Sequence, residues 1–224
     1  MVNNSKSLKI KIDIWSDSVC PYCYAGMRVL EKAIKMLDIE EHTEIVWHSY
    51  QLNPSFPKEG YVKYHEYIAN MLDLTIEEAI ERGKKLSKMG EIAGIRYNLS
   101  DAKIFNTFYA HRLLQKSKEL GKANILEESL FKAFFSDGSN LNNIAELTKV
   151  AISAGLTDSD VKDAINNQKY HELVWKDFRE ADSRKIEMVP TFFIGNTQIV
   201  AVPEIEEFVK ALEKAMGELP LKTY

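Results

Sequence analysis

The chain predicts an α/β protein whose strands stand at its two ends, with an all-helical block between them. Three observations carry this reading. Leu8–Trp15 alternates apolar with other residues, the period of a strand, and helical spacing follows directly. From about residue 61 to 183 the pattern is helical with no convincing strand. Residues 191–201 then hold two short apolar runs around Gly195-Asn196, a β-hairpin signature.

Taken in order, the first strand feeds a helix with apolar positions Met27, Leu30, Ala33, Ile34 and Leu37. Glu44–Leu52 reads as a second strand. Because a helix connects the two, they should be parallel with a right-handed crossover. Asn53-Pro54-Ser55-Phe56-Pro57 breaks regular structure. In the block, Thr75-Ile76-Glu77-Glu78 is a capping box opening a helix towards Ala93. Further helices are expected over about 102–120, 125–135 and 142–154, then a short one capped at Thr157 and a long one over 170–185. A last helix, about 204–216, carries Ile205, Phe208, Val209 and Leu212 on its inner face. Removing the block leaves β-α-β-α-β-β-α, the thioredoxin topology. The expected division is a thioredoxin-fold domain over 1–57 and 170–224, with a helical domain inserted over 58–169. The aromatics Phe105, Phe108, Tyr109, Phe131, Phe134 and Phe135 recur at helical spacing and are expected to form that domain's core.

A length of 224 residues suits one large domain or one domain with an insertion, and 45% hydrophobic residues is ordinary for a globular chain. The net charge of −4 argues against nucleic acid as partner. Lys84-Lys85 and Arg184-Lys185 read as solvated helix faces. No apolar run has membrane-spanning length. Met1–Ser7 is polar, without the apolar core of an export signal, so the expected location is cytoplasmic.

The two cysteines stand together as Cys20-Pro21-Tyr22-Cys23. A disulfide within one helical turn closes almost no loop and stabilises little, because the entropic effect grows with loop length. The pair is better suited to reacting than to bracing. It sits where a strand ends and a helix begins. There the unpaired backbone N–H groups and the positive end of the helix dipole favour a thiolate at Cys20. Pro21 fits the first helical position, which needs no N–H donor. Cys20 should therefore be a good leaving group from a mixed disulfide. It is expected to be partly exposed, with Cys23 beneath it beside Met27.

Ser16-Asp17-x-x-Cys20-Pro21-Tyr22-Cys23-Tyr24-x-Gly26, Gln51-Leu52-Asn53-Pro54, Ala110-His111-Arg112-Leu113 and Val189-Pro190-Thr191-Phe192 together resemble the DsbA family. The chain is most similar to its cytoplasmic FrnE-like oxidoreductases, in the group that also holds 2-hydroxychromene-2-carboxylate isomerase and kappa-class glutathione transferase. The resemblance covers nearly the whole chain. It implies a thioredoxin fold with an inserted helical domain. It also implies Cys20 as nucleophile, Cys23 as resolving thiol, and a cis Val189–Pro190 loop facing them. Two departures stand out: Tyr22 where the family often has tryptophan, and Val202 where it usually has glutamine.

The candidate catalytic residues are thus Cys20 and Cys23, with Pro21, Tyr22, Val189, Pro190, Asn106 and His111 as candidate substrate contacts. Asn106 and Thr107 are expected to share a helix with His111, and a packed, hydrogen-bonded role for His111 competes with a direct one. His65 and His171 read as surface residues, and Asp17 as a cap of the turn. A zinc site would need two further ligands. His42 and His48 are the candidates, but their spacing from Cys23 is too long for a finger and His48 should lie in a strand. The expected activity is a thiol–disulfide oxidoreductase or isomerase acting on a protein or small-molecule thiol or disulfide, with no cofactor required and glutathione as a possible redox partner. The alternatives are a glutathione-dependent isomerase or transferase, whose members of this group have serine at the position of Cys20, and a non-catalytic binding module.

Overall fold

The computed structural model describes residues 9–218. The polar leader Met1–Ser7 and Leu8, where the sequence starts its first strand, lie outside the described residues, as does the tail 219–224.

Strand β1 (Ile10–Ser16) leads to helix α1 (Pro21–Met36), and β2 (Thr43–Ser49) returns parallel to β1 with Ile12 beside Ile45 and Trp15 beside His48. At the far end of the chain β5 (Thr191–Ile194) and β6 (Thr197–Val200) form the hairpin, turned at Gly195 with φ 55°. β5 pairs antiparallel with β1, so the sheet order is β2-β1-β5-β6. The alternation read from the sequence assigns the two faces of β1. Ile12 and Ile14 point to α1 and to the terminal helix α9 (Ile205–Gly217), where Phe192 of β5 meets Phe208 edge-on at 4.9 Å. Asp13 and Trp15 point the other way, to α8 (Gln168–Ser183), where the Trp15 indole N–H donates to the Asp177 carbonyl at 3.5 Å. Burying a side chain such as Leu30, fully enclosed on α1, contributes about 1.5–3 kcal/mol.

Between β2 and β5 lie β3 (Val62–Lys63), α2 (Tyr64–Leu72), α3 (Ile76–Ala93), β4 (Lys103–Ile104), α4 (Phe108–Glu119), α5 (Ala123–Phe135), α6 (Ile144–Ser153) and α7 (Asp158–Asn166). Thr75 caps α3 in the reciprocal capping box read from the sequence. The expected helical block needs three corrections. β3 and β4 form a two-stranded antiparallel ribbon that does not join the main sheet, and α2 had no counterpart in the sequence reading. Strands of two residues carry no readable alternation. Residues 102–107, expected to be helical, form β4 and a loop instead. The expected aromatic core is present for Phe105, Phe131, Phe134 and Phe135, all 2% exposed or less, with Tyr24 of α1 stacked on Phe131 at 5.0 Å. Phe108 and Tyr109 are only half-buried.

Candidate active site

Cys20 is the N-cap residue of α1, with extended φ −89° and ψ 112°, and Pro21 is the first helical residue. The Cys23 N–H donates to the Cys20 carbonyl at 3.1 Å, so both thiols occupy the first turn, and both are free. The Val189–Pro190 bond is cis. Its loop lies against the dithiol, and the Cys20 thiol donates to the Val189 carbonyl at 3.6 Å. Gly26 makes this approach possible. A Cβ there would stand 2.9 Å from Phe192 Cζ and 3.2 Å from Pro190 Cγ, so the missing side chain lets α1 rest on the proline loop.

The expectation of a partly exposed Cys20 is corrected: Cys20 and Cys23 are each 2% exposed. The two still differ in access. Cys20, Pro21, Tyr22 and Val189 line a cleft of about 550 Å³, and Cys23 and Pro190 do not. Cys20 therefore forms part of the cleft wall, covered on one side by Val189 of the proline loop, while Cys23 does not reach the cleft. Burial pushes the Cys23 thiol well above its usual range, and the neighbouring Cys20 adds to the rise. The Asp17 backbone and the Ser16 side chain pull the other way.

Asp17 does more than cap the turn. Its carbonyl accepts the Cys20 N–H at 2.9 Å, and Oδ2 accepts the Leu52 N–H at 2.9 Å. Its Oδ1 lies 3.4 Å from His111 Nε2, with Asp17 1% and His111 2% exposed. Neither atom makes a well-directed hydrogen bond. Glu127 of α5 is also buried, and burial lifts its carboxyl to about 7, with His111 lowering and Asp17 raising it. His111 thus faces a buried acid behind the dithiol and is not a lining residue of the cleft.

Asn106 is likewise absent from the cleft lining. It precedes α4 and does not share that helix, and Thr107 is its N-cap. Asn106 Oδ1 accepts from Gln51 Nε2 at 3.2 Å and its Nδ2 donates to the Phe56 carbonyl at 2.7 Å, so its polar atoms brace the wall. Thr107 does line the cleft. His65 is half-buried, packed over Gly83, and His171 is half-buried beside Phe108 at 5.1 Å, so neither is a plain surface residue.

Sequence reasoning missed two features. One is Tyr97, whose hydroxyl donates to the Pro21 carbonyl at 2.6 Å and ties the segment after α3 to the active-site turn. The other is a buried network on the α8 face of the sheet. There His48 is held between Asp13 at 2.7 Å and Asp177 at 3.2 Å, and Gln115 donates to Asp177 at 2.6 Å. Asp13 stands at a position that the alternation of β1 assigns to its polar face, so no local signal marked it as buried. His42 is exposed and stands apart from this network. Among the described residues, the one group of three potential metal ligands is His48, Asp177 and Glu180, and it includes neither cysteine.

A free dithiol opening a helix of a thioredoxin fold, faced by a proline loop, is the equipment of a thiol oxidoreductase. The chain belongs to the DSBA-like thioredoxin domain family, whose profile matches residues 11–213. It is similar to a probable DsbA oxidoreductase from Streptomyces coelicolor, at 28% identity and TM-score 0.88, covering 96% of this chain and 94% of that one. The uncharacterized protein YwbO of Bacillus subtilis is 28% identical over 207 residues, 92% of this chain and 96% of YwbO. The cytosolic disulfide reductase DsbM of Pseudomonas aeruginosa shares the fold at 13% identity and TM-score 0.64, covering 93% of this chain and 99% of DsbM.

Proposed function

We propose that this protein is a cytoplasmic thiol–disulfide oxidoreductase or isomerase of FrnE-like type, in which Cys20 is the nucleophile and Cys23 the resolving thiol. The observation that carries the reading is the asymmetry of the dithiol. Cys20 sits in the cleft wall at a helix N-terminus and against the Val189 carbonyl, while Cys23 is enclosed behind it.

The chemistry follows from that placement. The Cys20 thiolate attacks one sulfur of a substrate disulfide. A Cys20–substrate S–S bond forms as the substrate's own S–S bond breaks, and one substrate thiolate leaves. Cys23 then gives up its proton and attacks Cys20, closing the Cys20–Cys23 disulfide and expelling the second thiolate, which is protonated. The substrate gains the two electrons that the dithiol loses. The reverse sequence oxidises a substrate dithiol, and attack by another substrate thiol on the mixed disulfide gives isomerisation. Val189 forms the wall against which the mixed disulfide is seated, held in place by the cis bond to Pro190 behind it, with Tyr22 at the cleft mouth.

In this reading no metal or organic cofactor takes part, and glutathione serves as redox partner. The division into 1–57 with 170–224 and an insertion over 58–169 belongs to the same reading. It is supported by the four main-sheet strands all lying outside the insertion. Among the described residues no helix is long and apolar enough to cross a membrane. The glutathione-dependent isomerase alternative fits less well, because relatives with that activity carry serine where this chain has Cys20. Equilibration against glutathione buffers tests the proposal. A single two-electron transition of the Cys20–Cys23 pair is expected, with about 30 mV of potential shifting the ratio roughly tenfold. A dithiol that stays unreactive across the whole range contradicts it.

A further inference from the structure

The cleft at Cys20 is larger and more selective in character than attack on a disulfide bond requires. Its volume of about 550 Å³ lies within the range of roughly 300–1,000 Å³ typical of sites that enclose a small molecule. Its walls come from α2 and α3, with Tyr64, Tyr67, Ile68, Met71, Leu86 and Met89 facing the space. Four of the chain's large exposed apolar side chains gather here: Tyr22 at 42%, Leu52 at 48%, Met71 at 55% and Leu72 at 39%. Such a gathering of exposed apolar surface beside a reactive thiol marks a binding surface.

Charge adds direction. Arg82 and Lys85, three residues apart on α3, both line the cleft and both are exposed. Glu81 on the same helix pairs with Lys84 and leaves these two cations free of it. Among the described residues, the one acidic lining residue is Asp17, whose carboxylate is buried and engaged by Leu52 N–H. The cleft therefore offers, among the described residues, apolar walls, a positive rim and no exposed carboxylate.

We infer that the substrate of this site is a low-molecular-weight disulfide with one half an apolar, ring-sized body bearing an anionic group. The body fills the space between α2 and α3, the anion meets Arg82 and Lys85, and its sulfur lies at Cys20. The thiol exchange is the one already written, with the substrate's own disulfide bond as the oxidant. Glutathione brings carboxylates for the two cations but no apolar, ring-sized body to fill these walls. It fits better as the reductant that restores the dithiol than as the body held in the cleft. This inference rests on the oxidoreductase reading and narrows it to a substrate class.

The test uses the reduced full-length protein and four probe disulfides: dithiobis(nitrobenzoate), which is aromatic and anionic; dithiodipyridine, aromatic and uncharged; oxidised glutathione; and the disulfide of a short apolar cysteine peptide. Each second-order rate is divided by the rate of the same probe with free N-acetylcysteine, which removes intrinsic reactivity. The normalised rate for the anionic aromatic probe is expected to exceed that for oxidised glutathione by about tenfold or more, because both are anions but only the aromatic probe has an apolar body for the walls. Replacing both cations (Arg82→Ala with Lys85→Ala) should slow the anionic aromatic probe about fivefold more than the uncharged one. A Met71→Trp change, at a half-exposed wall position, should slow both aromatic probes relative to glutathione. Equal normalised rates for all probes overturn the substrate class while leaving the oxidoreductase reading intact. A peptide disulfide that outpaces the anionic aromatic probe overturns it in favour of a protein substrate. Failure of Cys20 to react with any probe overturns both.

Discussion

The Cys20 thiol lies 3.6 Å from the carbonyl oxygen of Val189, a residue 169 positions further along the chain. That contact joins the strand–helix turn of the N-terminal β-α-β unit to the loop that begins the C-terminal hairpin. It exists because β5 pairs directly with β1, Trp15 standing beside Thr191, and because α1 lies close over that strand. The reactive thiol is thus positioned by both ends of the chain at once.

Gly26 sets how closely the two ends approach. A Gly26→Ala change places a methyl 2.9 Å from Phe192 Cζ in a fully packed region, and overpacking of this kind costs about 1–3 kcal/mol. Urea denaturation should show a lower midpoint with an unchanged slope. A midpoint equal to that of the parent would mean that α1 shifts freely and does not hold the loop.

Glu127 predicts a pH dependence of stability. Its folded value of about 7 stands above the ordinary carboxyl value because the group is buried. Between ~4.3 and that value the folded protein holds a proton that the unfolded chain does not. Stability therefore falls as pH rises through this window, and the loss is complete above it. Glu127→Gln mimics the neutral acid and removes the effect, so its stability advantage over the parent should grow by about 3 kcal/mol between pH ~4 and pH ~8. Denaturation curves at several pH values provide the check, and a constant difference would show that Glu127 does not change charge there.

His48 and its two carboxylates predict a window instead. Burial lowers the His48 value, but the hydrogen bonds to Asp13 and Asp177 outweigh it and the net shift is upward. Burial raises Asp13 and Asp177, and the hydrogen bond to His48, helped by Lys11 at Asp13 and Lys118 at Asp177, brings both below their usual range. The histidine's contribution is full below ~6.5 and lost as pH rises through its raised value. The carboxylates' contribution is present above ~3.9 and lost as pH falls through their lowered values. Asp177→Ala should cost about 3 kcal/mol between those limits and less outside them. A cost independent of pH would place the role of Asp177 in packing alone.

Much of the fold was legible because its signals are local. Alternation in the first strand, the Thr75 capping box, the Gly195-Asn196 turn and the apolar face of the last helix each act within a few residues. The dithiol was legible for the same reason, since Cys20-Pro21 at a strand–helix junction carries its own chemistry. What escaped depends on residues distant in sequence. β3 and β4 are too short for periodicity, and their pairing joins Val62 to Ile104 across the intervening helices. Asn106 read as a substrate contact because nothing local shows that Gln51 and the Phe56 carbonyl occupy it. Cys20 read as exposed because the cover over it comes from Val189, at the other end of the chain. Lys85 read as part of a solvated face, and only the packing of α2 beside α3 turns it towards a cleft.

The division of labour between the two thiols is the central claim, and trapping tests it most directly. Cys23→Ser and Cys20→Ser proteins are exposed to oxidised glutathione, quenched with acid, and weighed by intact-protein mass spectrometry. The Cys23→Ser protein should accumulate a one-to-one mixed disulfide at Cys20, because no neighbouring thiol remains to displace it. The Cys20→Ser protein should remain almost unmodified, since its remaining thiol is enclosed and held in the protonated form by burial. Adduct on Cys23 in the Cys20→Ser protein, with none on Cys20 in the other, would contradict the assignment and reverse the two roles.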